Sequence, residues 1–131
     1  MEARDTFIVA LRGNTEGNVQ HACAEEKFQN EVMRPILKLQ NDLFLDVFRN
    51  YVAKYKNDFY AYSTEKKMQY IENAVQKDIK FRNSLKGMVI ALFTIAEYNA
   101  YIQNSSKLNK RMMNMLIERL KSQVILFELQ A

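Results

Sequence analysis

The stretch from Phe81 to Tyr98, "FRNSLKGMVIALFTIAEY", decides how the chain folds. It contains an apolar run from Met88 to Ala96. A helix that crosses a bilayer needs about 20 apolar residues, and this run is only nine residues long and includes Thr94, so it is too short to span a membrane. A buried strand and a buried part of a helix remain, and periodicity alone does not separate them.

Capping signals around the run favour a helix. The segment "TIAE" at 94–97 is typical of a capping box, with Thr94 as the N-cap and Glu97 at the third helical position. The segment "SLKG" before the run suits a continuing or newly capped helix. We therefore predict that the run forms the last turns of one helix, buried on all sides. A short helix is predicted to follow Thr94.

Composition extends this prediction to the whole chain. Its 131 residues suit one domain, and 48% hydrophobic with 26% charged residues is typical of a soluble globular protein. Only three glycines and one proline occur, which is too few for the turns of an all-β fold. We predict an all-α, single-domain bundle of about five helices over residues 22–131. Residues 1–21 are predicted to form a flexible N-terminal arm, because "RGNTEGNV" holds two of the glycines.

Residues that interrupt or cap helices predict the helix boundaries. Arg34 precedes Pro35, so a helix is predicted to break there and a long one to run on to about Lys56. Ser63 or Thr64 is expected to cap the next helix. The inward face of that helix is predicted to hold Met68, Ile71, Val75 and Ile79.

The last helix is predicted to begin at Ser105 or Ser106 and to end near Phe127. Its apolar spacing suits packing along another helix, either within the monomer or in a dimer. Methionines adapt easily to a partner surface, although core packing explains them equally well. The candidate interface consists of Met112, Met113, Met115, Leu116 and Phe127.

The basic residues suggest a second kind of surface. A net charge of +4 permits an anionic partner. Lysines interleaved with aromatic residues can hold phosphates and stack on bases. The alternative is a solvated face on which lysine stems cover the aromatic rings. The candidate anion-binding residues are Lys77, Lys80, Lys110 and Arg111.

Few residues of the chain are candidates for catalysis or for binding a metal or cofactor. A zinc site built from His and Cys needs three or four such ligands, but only His21 and Cys23 exist. Cys23 lies near a predicted helix start, yet neighbouring Glu25 and Glu26 disfavour its thiolate. No glycine-rich phosphate loop or serine elbow is present. We therefore predict no catalytic residue, metal ligand or cofactor.

Three segments resemble a family of small, uncharacterised bacterial helical proteins sometimes labelled "glyoxalase". They are "RPILKLQNDLF" (34–44), "YIENAVQKDIKFRNSLKGM" (70–88) and "LNKRMMNMLIERLKS" (108–122), and the resemblance covers about residues 24–127. It implies a compact, cytosolic, α-helical protein. Glyoxalases use His-rich metal sites, and this chain has one histidine, so no catalytic position can be carried over.

These observations lead to three expectations of function. The first is a non-enzymatic interaction protein that self-associates or binds a protein partner through the last helix or the helix beginning at Pro35. The second is a weak nucleic-acid-binding protein, and the third is the glyoxalase-type lyase of the family label. A cytosolic location without a membrane span is expected, because the apolar stretch near the start, from Phe7 to Leu11, is too short for a secretory signal.

Overall fold

The computed structural model describes residues 2–13, 23–55 and 57–127. Within these ranges the chain is helical and contains no strand, so the predicted all-α, single-domain class is confirmed. The helices are shorter and more numerous than predicted. They are α1 (Glu2–Arg12), α2 (Ala24–Phe28), α3 (Arg34–Leu39), α4 (Asn41–Lys54), α5 (Thr64–Lys77), α6 (Ile79–Ile90), α7 (Ile95–Ile102) and α8 (Ser105–Ser122).

The predicted break at Arg34 is wrong. A π-helical turn, Gln29–Met33, joins α2 to α3, and Arg34 has helical angles of φ −60° and ψ −46°. Pro35 has no N–H to donate, and it lies in the first turn of α3, where a proline is tolerated. The chain departs from helical angles at Gln40 instead, where φ is −90° and ψ is 5°. The long helix predicted from Pro35 is thus divided into α3 and α4.

A second unpredicted break lies at Asp78. Its extended ψ of 101° ends α5, and its Oδ1 accepts a hydrogen bond of 3.2 Å from the N–H of Phe81 at the start of α6. The inward face of α5 holds Ile71 and Val75 as predicted, but Ile79 is 71% exposed because it follows the break. Ser63 is the N-cap of α5, with its Oγ accepting from the N–H of Lys66.

The capping box at Thr94 is confirmed. The N–H of Glu97 donates to Thr94 Oγ1 at 3.2 Å, and the N–H of Thr94 donates to Glu97 Oε1 at 2.8 Å. The preceding helix ends at Ile90, so the apolar run also contains a turn. Burial of that run on all sides is therefore wrong: Phe93 is buried, whereas Ile95 is exposed at the start of α7.

The core is centred on α8 and on an aromatic cluster. Helix α8 contacts α5, α6, α7 and the π-helical turn, so apolar residues on several of its sides are covered. The ring of Phe48 on α4 lies near other rings at centroid distances of 5.0 to 6.4 Å. Its neighbours are Tyr51, Phe59, Tyr70, Phe81 and Phe127.

Helix α1 was not predicted, and polar contacts join it to the rest of the fold. Arg4 donates to the carbonyl oxygens of Ala91 at 2.9 Å and Phe93 at 3.0 Å. Residues 14–21 of the predicted arm lie outside the described residues, so the flexibility of that part stays a prediction. None of the helices in the described part of the chain is long and apolar enough to cross a membrane.

A basic groove as the candidate functional site

An open groove of about 1160 Å³ lies between α8 and the segment formed by α2, the π-helical turn and the start of α3. Its lining is rich in basic side chains, which we call the basic groove. The residues that line it are Cys23, Glu25, Gln29, Arg34, Lys107, Lys110, Arg111, Asn114, Met115, Glu118, Arg119, Ser122 and Gln123.

Positive charge dominates this lining. Among the described residues of the lining, five side chains are cationic, and Glu25 and Glu118 are the two carboxylates. Glu25 forms a long ion pair of 3.9 Å with Lys107. Hydrogen bonds from its own backbone and from Asn104 lower the pKa of the Glu25 carboxyl, so it is ionised at neutral pH. The groove therefore keeps an excess of positive charge, which attracts anions.

The helical spacing of α8 explains why its cations point into one groove. Residues three or four positions apart share one face of a helix, and Lys110 and Arg111 lie three and four positions after Lys107. The opposite side of α8 is occupied by core residues such as Leu116 and Leu120. One helix therefore supplies both the core and the basic wall of the groove.

Arg111 connects this wall to the opposite one. Its Nη1 donates to Gln29 Oε1 at 2.8 Å, and its Nη2 lies 3.8 Å from the Sγ of Cys23. These contacts hold the guanidinium across the groove. Within the described residues, Arg111 forms no ion pair with a carboxylate.

Two arginines, Arg119 on α8 and Arg34 on α3, line the groove near the C-terminal end of α8. Burial, and then the charge of nearby Arg34, lower the pKa of the Arg119 guanidinium, although it remains protonated at neutral pH. Arg119 Nη1 donates to Asn41 Oδ1 at 3.4 Å, while Arg34 donates from Nε and Nη2 to Asn30 Oδ1. In the part of the chain that the structure describes, neither arginine pairs with a carboxylate.

The predicted anion-binding residues do not form one site. Lys110 and Arg111 line the basic groove. Lys77 and Lys80 are exposed at the junction of α5 and α6 and are absent from the groove lining. The break at Asp78 lies between these two lysines, so Lys77 belongs to α5 and Lys80 to α6. Arg34 was missed, because nothing in its local sequence shows that it faces the polar side of α8.

The predicted apolar interface is wrong for four of its five residues. Met112, Met113, Leu116 and Phe127 are buried in the core of the monomer. Only Met115 is partly exposed, and it lines the basic groove. The physical reason is the central position of α8, which is covered on several sides by its own chain.

The described residues contain no group of three or more His, Cys, Asp or Glu side chains that could hold a metal ion. His21 lies outside these residues. Cys23 is an exposed free thiol at the edge of the basic groove.

The fold and the groove define an all-α protein with a basic surface groove. No family model, curated protein or solved structure matches this chain. The resemblance to the glyoxalase-labelled family therefore stays a prediction.

Proposed function

We propose that this protein is a non-catalytic nucleic-acid-binding protein that holds the phosphate backbone in the basic groove. The observation that carries the proposal is that the described lining of one groove holds five cationic side chains and two carboxylates. Phosphate contacts by Lys and Arg supply most of the affinity in sequence-independent binding.

The chemistry of the lining favours phosphates over bases. No aromatic residue is among the described residues that line the groove, so stacking on bases has no platform there. Arg111, Asn114 and Gln29 offer hydrogen-bond donors, which suit phosphate oxygens. Binding is therefore expected to depend weakly on base sequence.

The length of the groove suits several phosphates. Helix α8 places Lys107 near one end of the groove and Arg119 near the other. The rise of an α-helix, about 1.5 Å per residue, sets these two positions about 18 Å apart. A nucleic-acid strand spans that distance with several consecutive phosphates.

Fluorescence anisotropy with a labelled single strand and a labelled duplex tests the proposal. The Lys110→Gln/Arg111→Gln double variant removes two charges from the groove, and Lys77→Gln/Lys80→Gln removes the same charge elsewhere. We expect the groove variant to bind about tenfold more weakly at low salt and to show a shallower salt dependence, since each lost phosphate contact reduces the slope by about 0.7 to 0.9.

At about 0.1 M salt, where the screening length is about 10 Å, the matched control variant is expected to bind within about twofold of the parent protein, because Lys77 and Lys80 are absent from the groove lining. Equal losses in the two variants would show that only net charge matters. No binding of either probe by the parent protein at low salt would also contradict the proposal. Circular dichroism checks that both variants fold.

Self-association is a second candidate function, although its predicted surface on α8 is buried. It is supported by large apolar side chains left exposed on α1 and α7, among them Phe7 at 76% and Leu11 at 60% exposure. Light scattering over a range of concentrations tests it. A dimer that the Phe7→Ser/Leu11→Ser variant loses would support self-association, and a strict monomer would contradict it.

A further inference from the structure

One end of the basic groove has a set of polar hydrogen bonds, formed by Asn41, Gln123 and Arg119, which we call the polar frame. Asn41 and Gln123 form a reciprocal amide pair, in which Asn41 Nδ2 donates to Gln123 Oε1 and Gln123 Nε2 donates to Asn41 Oδ1, each at 2.7 Å. Gln123 Nε2 also donates to the carbonyl oxygen of Arg119 at 2.9 Å. The start of α4 is thereby fixed to the end of α8.

This frame positions a guanidinium at the end of the groove. Asn41 Oδ1 accepts from both Gln123 and Arg119 Nη1. The Asn41 oxygen is neutral, so it orients Arg119 without neutralising its charge. Arg119 is partly buried, and a partly desolvated charge gains more from a counter-ion than an exposed charge does.

A second guanidinium lies on the other wall. Arg34 is exposed and lines the same groove as Arg119, and its charge contributes to the lowered pKa of Arg119. Arg34 uses Nε and Nη2 on Asn30, and no hydrogen bond from its Nη1 is found within the described residues. Two like charges repel each other. An anion placed between them attracts both, and these two attractions outweigh the repulsion.

We propose that Arg34 and Arg119 together hold one phosphate monoester at this end of the groove. A monoester carries a charge of about −1.5 to −2 at neutral pH, whereas an internal phosphodiester carries only one negative charge. Two guanidiniums that line the same groove therefore match the monoester better, and their planar donors suit its oxygens. Glu118 also lines the groove, and its carboxylate opposes binding of the anion.

This inference rests on the proposed function, because it concerns the nucleic-acid strand that the groove is proposed to bind. A site for the terminal phosphate would give that strand a direction. A strand that lies along α8 would place a terminal phosphate between Arg34 and Arg119 and its internal phosphates beside Arg111 and Lys107. The shared chemistry is a terminal phosphate group, supplied by a nucleic-acid end or by free phosphate.

The first test uses inorganic phosphate and follows thermal unfolding of the full chain. At matched ionic strength, phosphate is expected to raise the Tm of the parent protein relative to chloride, because a ligand of the folded state stabilises it. Arg119→Gln and Arg34→Gln should each lose this shift. Arg82→Gln, which removes an arginine of α6 outside the groove lining, should keep it.

The second test compares one labelled strand carrying a 5′-phosphate, a 3′-phosphate or hydroxyls at both ends. The parent protein and Arg82→Gln are expected to bind one phosphorylated form about tenfold more tightly than the hydroxyl form, which is the effect of one added charge-assisted contact. Arg119→Gln and Arg34→Gln should bind all three forms alike.

The two proposals fail in different ways. If phosphate and chloride give the same Tm and all three strands bind equally, the terminal-phosphate site is overturned while nucleic-acid binding stands. If no strand binds but phosphate shifts the Tm through Arg34 and Arg119, nucleic-acid binding is overturned and the phosphate site stands. A phosphate shift that survives in both Arg34→Gln and Arg119→Gln overturns the assignment of the site to these residues.

Discussion

Arg12 and Glu97 form a bidentate ion pair, although 85 positions separate them in the sequence. Arg12 Nη2 lies 2.8 Å from Glu97 Oε2, and the arginine side chain is only 7% exposed. Glu97 also completes the capping box at the start of α7. One carboxylate thus caps its own helix and holds α1 against the rest of the fold.

Glu97→Gln is expected to lower the free energy of unfolding by about 1.5 to 3 kcal/mol, the contribution typical of hydrogen bonds to charged groups. The substitution leaves the largely buried Arg12 without its counter-charge. Chemical denaturation measures the change. Glu31→Gln removes a carboxylate from an exposed pair with Lys27, and its effect should stay below about 1 kcal/mol. Similar effects of the two substitutions would contradict the importance of the pair.

The same carboxylate predicts a dependence of stability on acid pH. Burial would raise the pKa of Glu97, but hydrogen bonds from Arg12 and Thr94 outweigh it and lower that pKa. The contribution is therefore fully present above the unfolded pKa of about 4.3 and is lost as pH falls through the lower, folded value. The stability difference between the parent protein and Glu97→Gln should shrink over this range. A difference that is constant with pH would contradict the assignment.

Phe48→Ala is expected to destabilise the fold by about 3 to 5 kcal/mol, because the ring is fully buried among other aromatic rings. Phe7→Ala, measured at a concentration at which the protein is monomeric, is the matched control: it makes the same substitution at a ring that is 76% exposed, and it should change stability by less than about 0.5 kcal/mol. Urea unfolding measures both. Equal effects would mean that the aromatic cluster does not stabilise the core.

Met112→Ala tests whether α8 packs within the monomer. Met112 is fully buried, so its truncation should cost about 2 to 5 kcal/mol. Met115→Ala, at a partly exposed groove position, should cost clearly less. Denaturation measures stability, and light scattering measures the mass. A lower oligomeric mass with unchanged stability in Met112→Ala would instead support an interface on α8.

Three tyrosines are expected to ionise above the ordinary phenol pKa of about 10. Burial, followed by the hydrogen bond to Asp78, raises the pKa of Tyr51, and burial also raises the pKa values of Tyr70 and Tyr101. The protonated phenols contribute to stability at pH values below the ordinary phenol pKa. This contribution is lost as pH rises through the raised pKa values of the folded protein. A spectrophotometric titration should show a late-ionising fraction.

Tyr51→Phe should remove part of that late fraction. Tyr51 donates to Asp78 Oδ2 at 2.8 Å, and this bond is the main reason that the pKa of Asp78 is lowered. The substitution is therefore expected to raise the pKa of Asp78 as well, which NMR titration can follow. An unchanged Asp78 titration would contradict the role of this bond.

Local signals in the sequence were sufficient for the fold class and for two helix starts. A cap depends on residues within one turn of each other, so Thr94 could be assigned, and the cap of α5 could be limited to Ser63 or Thr64, without knowledge of the rest of the molecule. The inward positions Ile71 and Val75 were also predictable, because helical period alone sets which residues share a face.

The sequence by itself thus determined that the chain is helical and that it has few side chains suited to catalysis or metal binding. Only the tertiary structure decided that α8 is covered by its own chain and that Arg34 lies near Arg119. Periodicity orients a side chain about its own helix axis, but the neighbour that it meets depends on how separate helices pack. The basic groove arises in this way, from helices that are distant in the sequence and adjacent in space.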